Sequence, residues 1–226
     1  MSDQQSPQPL PFRRALAENS VVVTLIVACV LVEAVLVLSD LGFIGRGRLR
    51  LQAYEYAGFW SGLLGRWQPN YPLQPYTMFL TYAFLHGGVM HLAVNMITLW
   101  SLGRAIIGRV GSRRFLALYF LSVLGGAVAY GALAPSLSPM VGASGGLFGL
   151  VGGVLAWNYI DLFSSDRGLW PVARAALMLI GLNLVLWYVM SGHLAWQTHL
   201  GGFIAGWIAA LLLDPRPISD ADVNEE

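Results

Sequence analysis

The sequence predicts an all-α membrane protein, a bundle of six transmembrane helices with a membrane-associated first loop between the first two. Three observations predict it. The chain is 56% hydrophobic and only 11% charged, where ordinary soluble domains carry about 25% charged residues. Its apolar residues gather into six runs, each close to the roughly 20 residues that a spanning helix needs. Turn-forming residues separate most of the runs, and no internal repeat or low-complexity segment interrupts the pattern.

The first run, 20–39, follows a polar, proline-containing stretch, Met1 to Glu18. Its apolar core, Val21 to Leu38, exceeds that of a signal peptide and reads as a retained helix. Arg13-Arg14 is a basic flank, since the residues after it do not continue as a twin-arginine signal. The remaining runs are 88–107, 114–133, 142–160, 170–190 and 197–213, too long and too apolar for half-buried strands. Pro135 and Pro139 precede the fourth, Asp166 and Gly168 the fifth, and Ser191 and Gly192 the sixth. The expected organisation is a tail of residues 1–18, a membrane domain over 19–214 and a second tail over 215–226.

Charge sets the orientation. Arg13, Arg14, Arg104, Arg109, Arg113, Arg114, Arg167 and Arg216 fall on one side of an even-numbered arrangement, which the positive-inside rule makes cytoplasmic. Both termini are then expected in the cytoplasm, with a bacterial plasma membrane as the expected location. Arg46, Arg48, Arg50 and Arg66 in the first loop weaken that bias without reversing it. All cationic residues are arginines, the net charge is +1, and no basic run is dense enough for a nucleic-acid surface, so no nucleic acid is expected as a partner. The single cysteine, Cys29, cannot form an internal disulfide.

The loop from Asp40 to Leu85 is about 45 residues long, more than a bare connection requires. Tyr54, Tyr56, Phe59, Trp60, Trp67, Tyr71 and Tyr76 are of the amphipathic aromatic type favoured at headgroup level. The loop is expected to lie on the membrane.

The second, fourth and sixth helices run in the same direction, and each carries polar residues near its start: His91 with Asn95, Ser144, and His199. Parity puts all four at a similar depth. His91 and Asn95, four apart, share a helix face. Gly145, Gly149 and Gly153 form a small-residue row on the fourth helix, and Gly202 and Gly206 form one on the sixth. Such rows allow backbones to approach closely in lipid. If they face each other, Ser144 and His199 come within hydrogen-bond reach. Polar groups at one level of a bilayer also imply a cavity.

Serine becomes a nucleophile when a neighbouring base takes its proton, and neutral imidazole is the usual base near pH 7. No acidic residue shares their depth on these helices: Asp161 and Asp214 sit at the opposite ends, and Glu33 is on the first helix. A two-residue dyad is therefore expected. Acyl transfer also needs oxyanion donors, which the start of a helix at Ser144 can supply, with side-chain donors from His91 and Asn95. Gly142-Ala143-Ser144-Gly145-Gly146 also fits the G-x-S-x-G elbow of soluble hydrolases, but the strand, turn and helix that motif requires are missing.

With these residues in place, the chain resembles the rhomboid family of intramembrane serine proteases. The match rests on His86-x4-His91-x3-Asn95, Gly142-Ala143-Ser144-Gly145 and His199-x2-Gly202-x3-Gly206. The resemblance implies hydrolysis of peptide bonds in or beside transmembrane segments of membrane-protein substrates within the lipid bilayer. It implies Ser144 as nucleophile, His199 as general base, and an oxyanion pocket from His91, Asn95 and the Ser144 backbone N–H. It also implies that Phe148 packs on the His199 ring, that His86 is an accessory polar residue, and that the fifth helix acts with the loop near His193 as a gate. Two positions depart from the family pattern. Thr77-Met78 stands where many members carry Trp-Arg, and Ile107 lies near the place of an acidic residue.

Two other classes compete. A catalytically silent relative typically lacks the serine or the histidine, and this chain has both. A transporter or metal permease using His86, His91, His193 and His199 as a path finds no acidic cluster within the spans and no H-E-x-x-H. No cofactor and no metal are expected.

Overall fold

The computed structural model describes residues 19–134 and 138–214. Both expected tails, with Arg13, Arg14 and Arg216, lie outside the described residues, as does Pro135. The described chain is all-helical apart from one isolated antiparallel bridge between Phe59 and Met140. Seven α-helices follow in order: α1 Ser20–Asp40, α2 Leu49–Ala57, α3 Gln74–Thr81, α4 Val89–Leu133, α5 Ser144–Phe163, α6 Trp170–Val189 and α7 Trp196–Leu213. Five of them, α1 and α4 to α7, are long and apolar enough to cross a membrane.

Helix α4 accounts for the difference between five long helices and six expected spans. Its 45 residues would measure about 68 Å as a straight rod, roughly twice the hydrocarbon thickness of a bilayer. Gly111 breaks it, with φ 78° and ψ 165°, a conformation that only glycine adopts without strain. The two arms fold back on each other: a Cβ at Gly103 would stand 3.4 Å from the Phe115 ring. Residues 89–110 and 112–133 are therefore the second and third spans. A single glycine makes the turn that the sequence suggested as a short loop.

The centre of the bundle is α5, held between α7 and the arms of α4. The glycine rows do face each other. A Cβ at Gly202 would collide with the Gly145 carbonyl, and one at Gly206 with the Gly149 carbonyl. On the other side of α7, Gly201 meets Gly125 of α4 in the same way. In lipid, where apolar side chains gain little by leaving their solvent, this close backbone approach is what dispersion forces need to hold helices together. Helix α1 lies against the outside through a stripe of Val22, Leu25, Cys29, Glu33 and Leu36 at three- and four-residue spacing. Helix α6 is the most peripheral, with Val172 its one buried residue.

The first loop is built from α2, α3 and three short 3-10 turns, Gly45–Gly47, Ser61–Leu64 and Tyr82–Phe84. Tyr56, Trp67 and Tyr76 are exposed, as interfacial aromatics are. Phe59 corrects the headgroup expectation: it is fully buried, edge-on to Phe79, Tyr82 and Tyr130. Its backbone exchanges two hydrogen bonds with Met140, of 3.0 and 2.9 Å. This places the loop directly on the segment that leads into Ser144.

Both departures from the family pattern have structural counterparts. Met78 is fully buried in the core, and the Thr77 hydroxyl is bonded to Tyr71 and to the Leu73 carbonyl. The loop's arginine anchor is Arg50 instead, which meets Glu33 at 2.8 Å and Asp40 at 2.6 Å. Near Ile107, helices are bonded at the far end of the bundle by Arg109. It forms a bidentate pair with Asp161 at 2.9 and 3.2 Å and lies 3.9 Å from Asp214.

Candidate active site

The segment ahead of α5 delivers Ser144 into the bundle. Gly142 has φ +130°, and a Cβ there would press on the His91 ring, 2.8 Å from Cε1 and 2.9 Å from Nε2. The glycine is thus required both for the backbone conformation and for the approach of His91. Its N–H donates to the Tyr82 carbonyl at 3.0 Å. Ser144 is the first residue of α5, so the adjoining backbone N–H groups have no intrahelical acceptor and the helix dipole adds positive potential there.

His199, in the first turn of α7, reaches Ser144: Nε2 lies 3.0 Å from Oγ. Its other nitrogen, Nδ1, lies 2.6 Å from Oδ1 of Asn183 on α6. The Asn183 Nδ2 donates to the Leu179 carbonyl at 3.0 Å, which turns the amide oxygen toward the ring. An amide oxygen only accepts, so Nδ1 carries the proton and the neutral ring leaves Nε2 free to accept from the serine hydroxyl. Phe148, one turn after Ser144, lies flat against the other face of the site, stacked on the His199 ring at 4.1 Å between centroids.

From α4, Asn95 is buried, and its Nδ2 makes no hydrogen bond within the described residues. That donor lies 3.8 Å from the position a Cβ would take on Gly142. Leaving an amide N–H unpaired in an apolar surrounding costs about 1–3 kcal/mol. The proton on His91 can be placed as well. Its Nδ1 accepts from the Gly87 N–H at 3.2 Å, so the neutral ring carries hydrogen on Nε2, the atom that faces Gly142.

The peptide unit that holds His91 is itself held. Its carbonyl, that of His86, accepts from the Tyr54 hydroxyl at 2.7 Å and from Arg50 at 3.0 Å. The first loop and α1 are therefore connected to His91 through one peptide bond. The His86 side chain is fully buried and edge-on to the His91 ring at 5.2 Å. Burial, with a smaller contribution from His91, pushes its pKa down to about 4.

The structure thus brings Ser144, His199, His91, Asn95, Phe148 and His86 to one end of the bundle. It leaves His193 exposed in the turn between α6 and α7. Asn183 is the residue that sequence reasoning missed. The available signal was an amide in the middle of an apolar run, where a polar side chain in a membrane helix warrants a functional reading. Beside the dyad, a cavity of about 580 Å³ opens between α6 and α7, lined by apolar side chains except for Asn183 and His199.

A serine bonded to a neutral imidazole, with unpaired donors opposite, is suited to acyl transfer. Fold and site together define a multi-pass helical membrane protein with a serine–imidazole pair at one end of its bundle. Residues 73–216 match the family model for the Rhomboid domain, well over half of the sequence, and the chain belongs to the rhomboid family. It is 35% identical over 134 residues to the rhomboid protease GluP of Bacillus subtilis, covering 59% of this chain and 25% of that protein. It is 35% identical over 135 residues to RHOMBOID-like protein 4 of Arabidopsis thaliana, covering 59% of this chain and 33% of that one. Rhomboid-related protein 3 of Homo sapiens is 30% identical over 139 residues, covering 57% of this chain and 34% of the human protein. The chain thus spans between a quarter and a third of the length of these curated relatives.

Proposed function

We propose that this chain is an intramembrane serine endopeptidase that cleaves peptide bonds in or beside transmembrane segments of membrane-protein substrates. The observation that carries the reading is the 3.0 Å contact between Ser144 Oγ and His199 Nε2, made by a ring whose proton is held on Nδ1. His199 takes the hydroxyl proton as Ser144 Oγ bonds to the scissile carbonyl carbon. The resulting oxyanion accepts from the Ser144 N–H, the His91 Nε2–H and the Asn95 Nδ2–H. As the tetrahedral intermediate collapses, the C–N bond breaks and the departing amine takes the proton from His199. Water, deprotonated by the same imidazole, then releases the acyl group and restores the serine.

Residues 19–214 carry this activity, and an even number of crossings puts both termini on one face. We assign that face to the cytoplasm of a bacterial plasma membrane, following the arginine bias. A helical segment cannot present its carbonyls to a serine while they are hydrogen-bonded within the helix, so substrates should unwind locally at the cut. Names of relatives such as GluP support the class of reaction. The test is cleavage in proteoliposomes of co-reconstituted single-span proteins: wild type should release fragments, and Ser144→Ala and His199→Ala should not. Equal cleavage by wild type and Ser144→Ala would refute the assignment.

A further inference from the structure

The base of the proposed dyad has a partner on a different helix, and that partner is uncharged. Asn183 lies near the middle of α6, in a segment whose other residues are almost all apolar. Both ends of its amide are bonded: Nδ2 donates to the Leu179 carbonyl one turn back, and Oδ1 meets His199 Nδ1. The helix backbone accepts from Nδ2 but has no free N–H in mid-helix to offer Oδ1, so the oxygen finds its partner across the bundle, in the imidazole at 2.6 Å.

We propose that Asn183 is a positioning residue for the reaction, fixing His199 in the tautomer and orientation that accept the Ser144 proton. The inference rests on the protease reading above. Asn183 is bonded to His199 and not to Ser144, and acts by holding the proton on Nδ1. Its oxygen does the orienting work that a carboxylate does in a charged triad without placing a negative charge in the membrane, where one is costly. When the ring becomes imidazolium in the transition state, the same hydrogen bond is to a charged donor and strengthens. Its contribution therefore falls on the chemical step. Because Asn183 sits on the least buried of the long helices, the base keeps this partner only while α6 stays in place.

The test uses the full chain in micelles, with 15N-labelled histidine. In wild type the His199 imidazole should give the signature of a neutral ring protonated at Nδ1, and in Asn183→Leu that preference should disappear. In kinetics, Asn183→Leu should lower kcat on the order of 10- to 100-fold, the size of one hydrogen bond to a charged group, with KM unchanged. Asn183→Asp, which keeps an acceptor oxygen, should recover much of the loss. A wild-type His199 protonated at Nε2 would overturn the proposal, as would a folded Asn183→Leu protein with wild-type kcat. The wild-type spectrum decides the matter if the leucine variant does not fold. It also separates this proposal from the protease reading, because the tautomer is read without any substrate.

Discussion

Phe148 lies flat on the imidazole of His199, with the two rings 9° from parallel and 4.1 Å between centroids. The stack holds the ring from its face while Asn183 holds it from its edge, so the imidazole has little freedom left except to meet Ser144. An aromatic stack contributes about 0.5–1.5 kcal/mol beyond the area it buries. Phe148→Ala should therefore lower kcat roughly 2- to 10-fold on that term alone, and Phe148→Tyr should keep most of the activity. Steady-state cleavage of one substrate by the three proteins checks this; an alanine variant as fast as wild type would remove the stack from the account.

Asn95→Ala separates catalysis from stability. Removing an oxyanion donor costs about 10²–10³ in kcat, whereas removing a buried donor that has no partner costs the fold little or nothing. The variant should lose activity by roughly that factor with an unchanged or raised Tm. A fall in Tm with kcat preserved would mean that Asn95 bonds helices together instead.

Arg50→Gln should destabilise the protein and disturb His91 as well. Arg50 is bonded to Glu33, whose side chain is 1% exposed, and losing one partner of a buried pair costs about 3–5 kcal/mol. Arg50 itself is 20% exposed, so the lower end of that range is expected. Asp40→Asn, at the exposed end of the same network, should cost under about 1 kcal/mol. Thermal unfolding of the two variants in detergent should rank them in that order, with kcat reduced only in Arg50→Gln.

Gly206→Leu should separate α5 from α7. Any Cβ at that position meets the Gly149 backbone, and backbone cannot move aside as a flexible side chain does. Overpacking costs about 1–3 kcal/mol in cores that can adjust, and at least the upper end applies here. Loss of Ser144 reactivity should accompany the fall in Tm, because the same contact sets the distance to His199.

The buried imidazole of His86 makes stability pH-dependent. Its pKa falls from an ordinary 6.5 to about 4 in the folded chain, so the neutral form is favoured by folding. Between those two values the unfolded chain binds the extra proton, and stability should fall as pH drops from 6.5 toward 4, then level off. At 1.36 kcal/mol per unit the loss is on the order of 3 kcal/mol. Tm measured against pH should show that slope in wild type and a shallower one in His86→Phe.

Much of the site was legible because membrane topology converts sequence position into depth. Ser144, His199, His91 and Asn95 all fall near the starts of helices running the same way, and the glycine rows state which faces meet. Asn183 was hidden because depth on an oppositely directed helix must be counted from its far end, and helix phase alone does not say which neighbour an amide faces. Arg50 was hidden for a different reason. Its partners Glu33, Asp40, Tyr54 and His86 are spread over three elements of an irregular loop and its neighbours, and no periodicity encodes such a contact. The single-residue turn at Gly111 was blurred by the arginines around it, which read as a longer loop.

The central claim is that Ser144 is a nucleophile activated by His199. The most direct measurement is peptide mass mapping after treatment of the folded protein with a fluorophosphonate. The account predicts one adduct, on Ser144, formed by wild type and sharply reduced in His199→Ala. An adduct on another residue, or equal modification of Ser144 with and without His199, would contradict it.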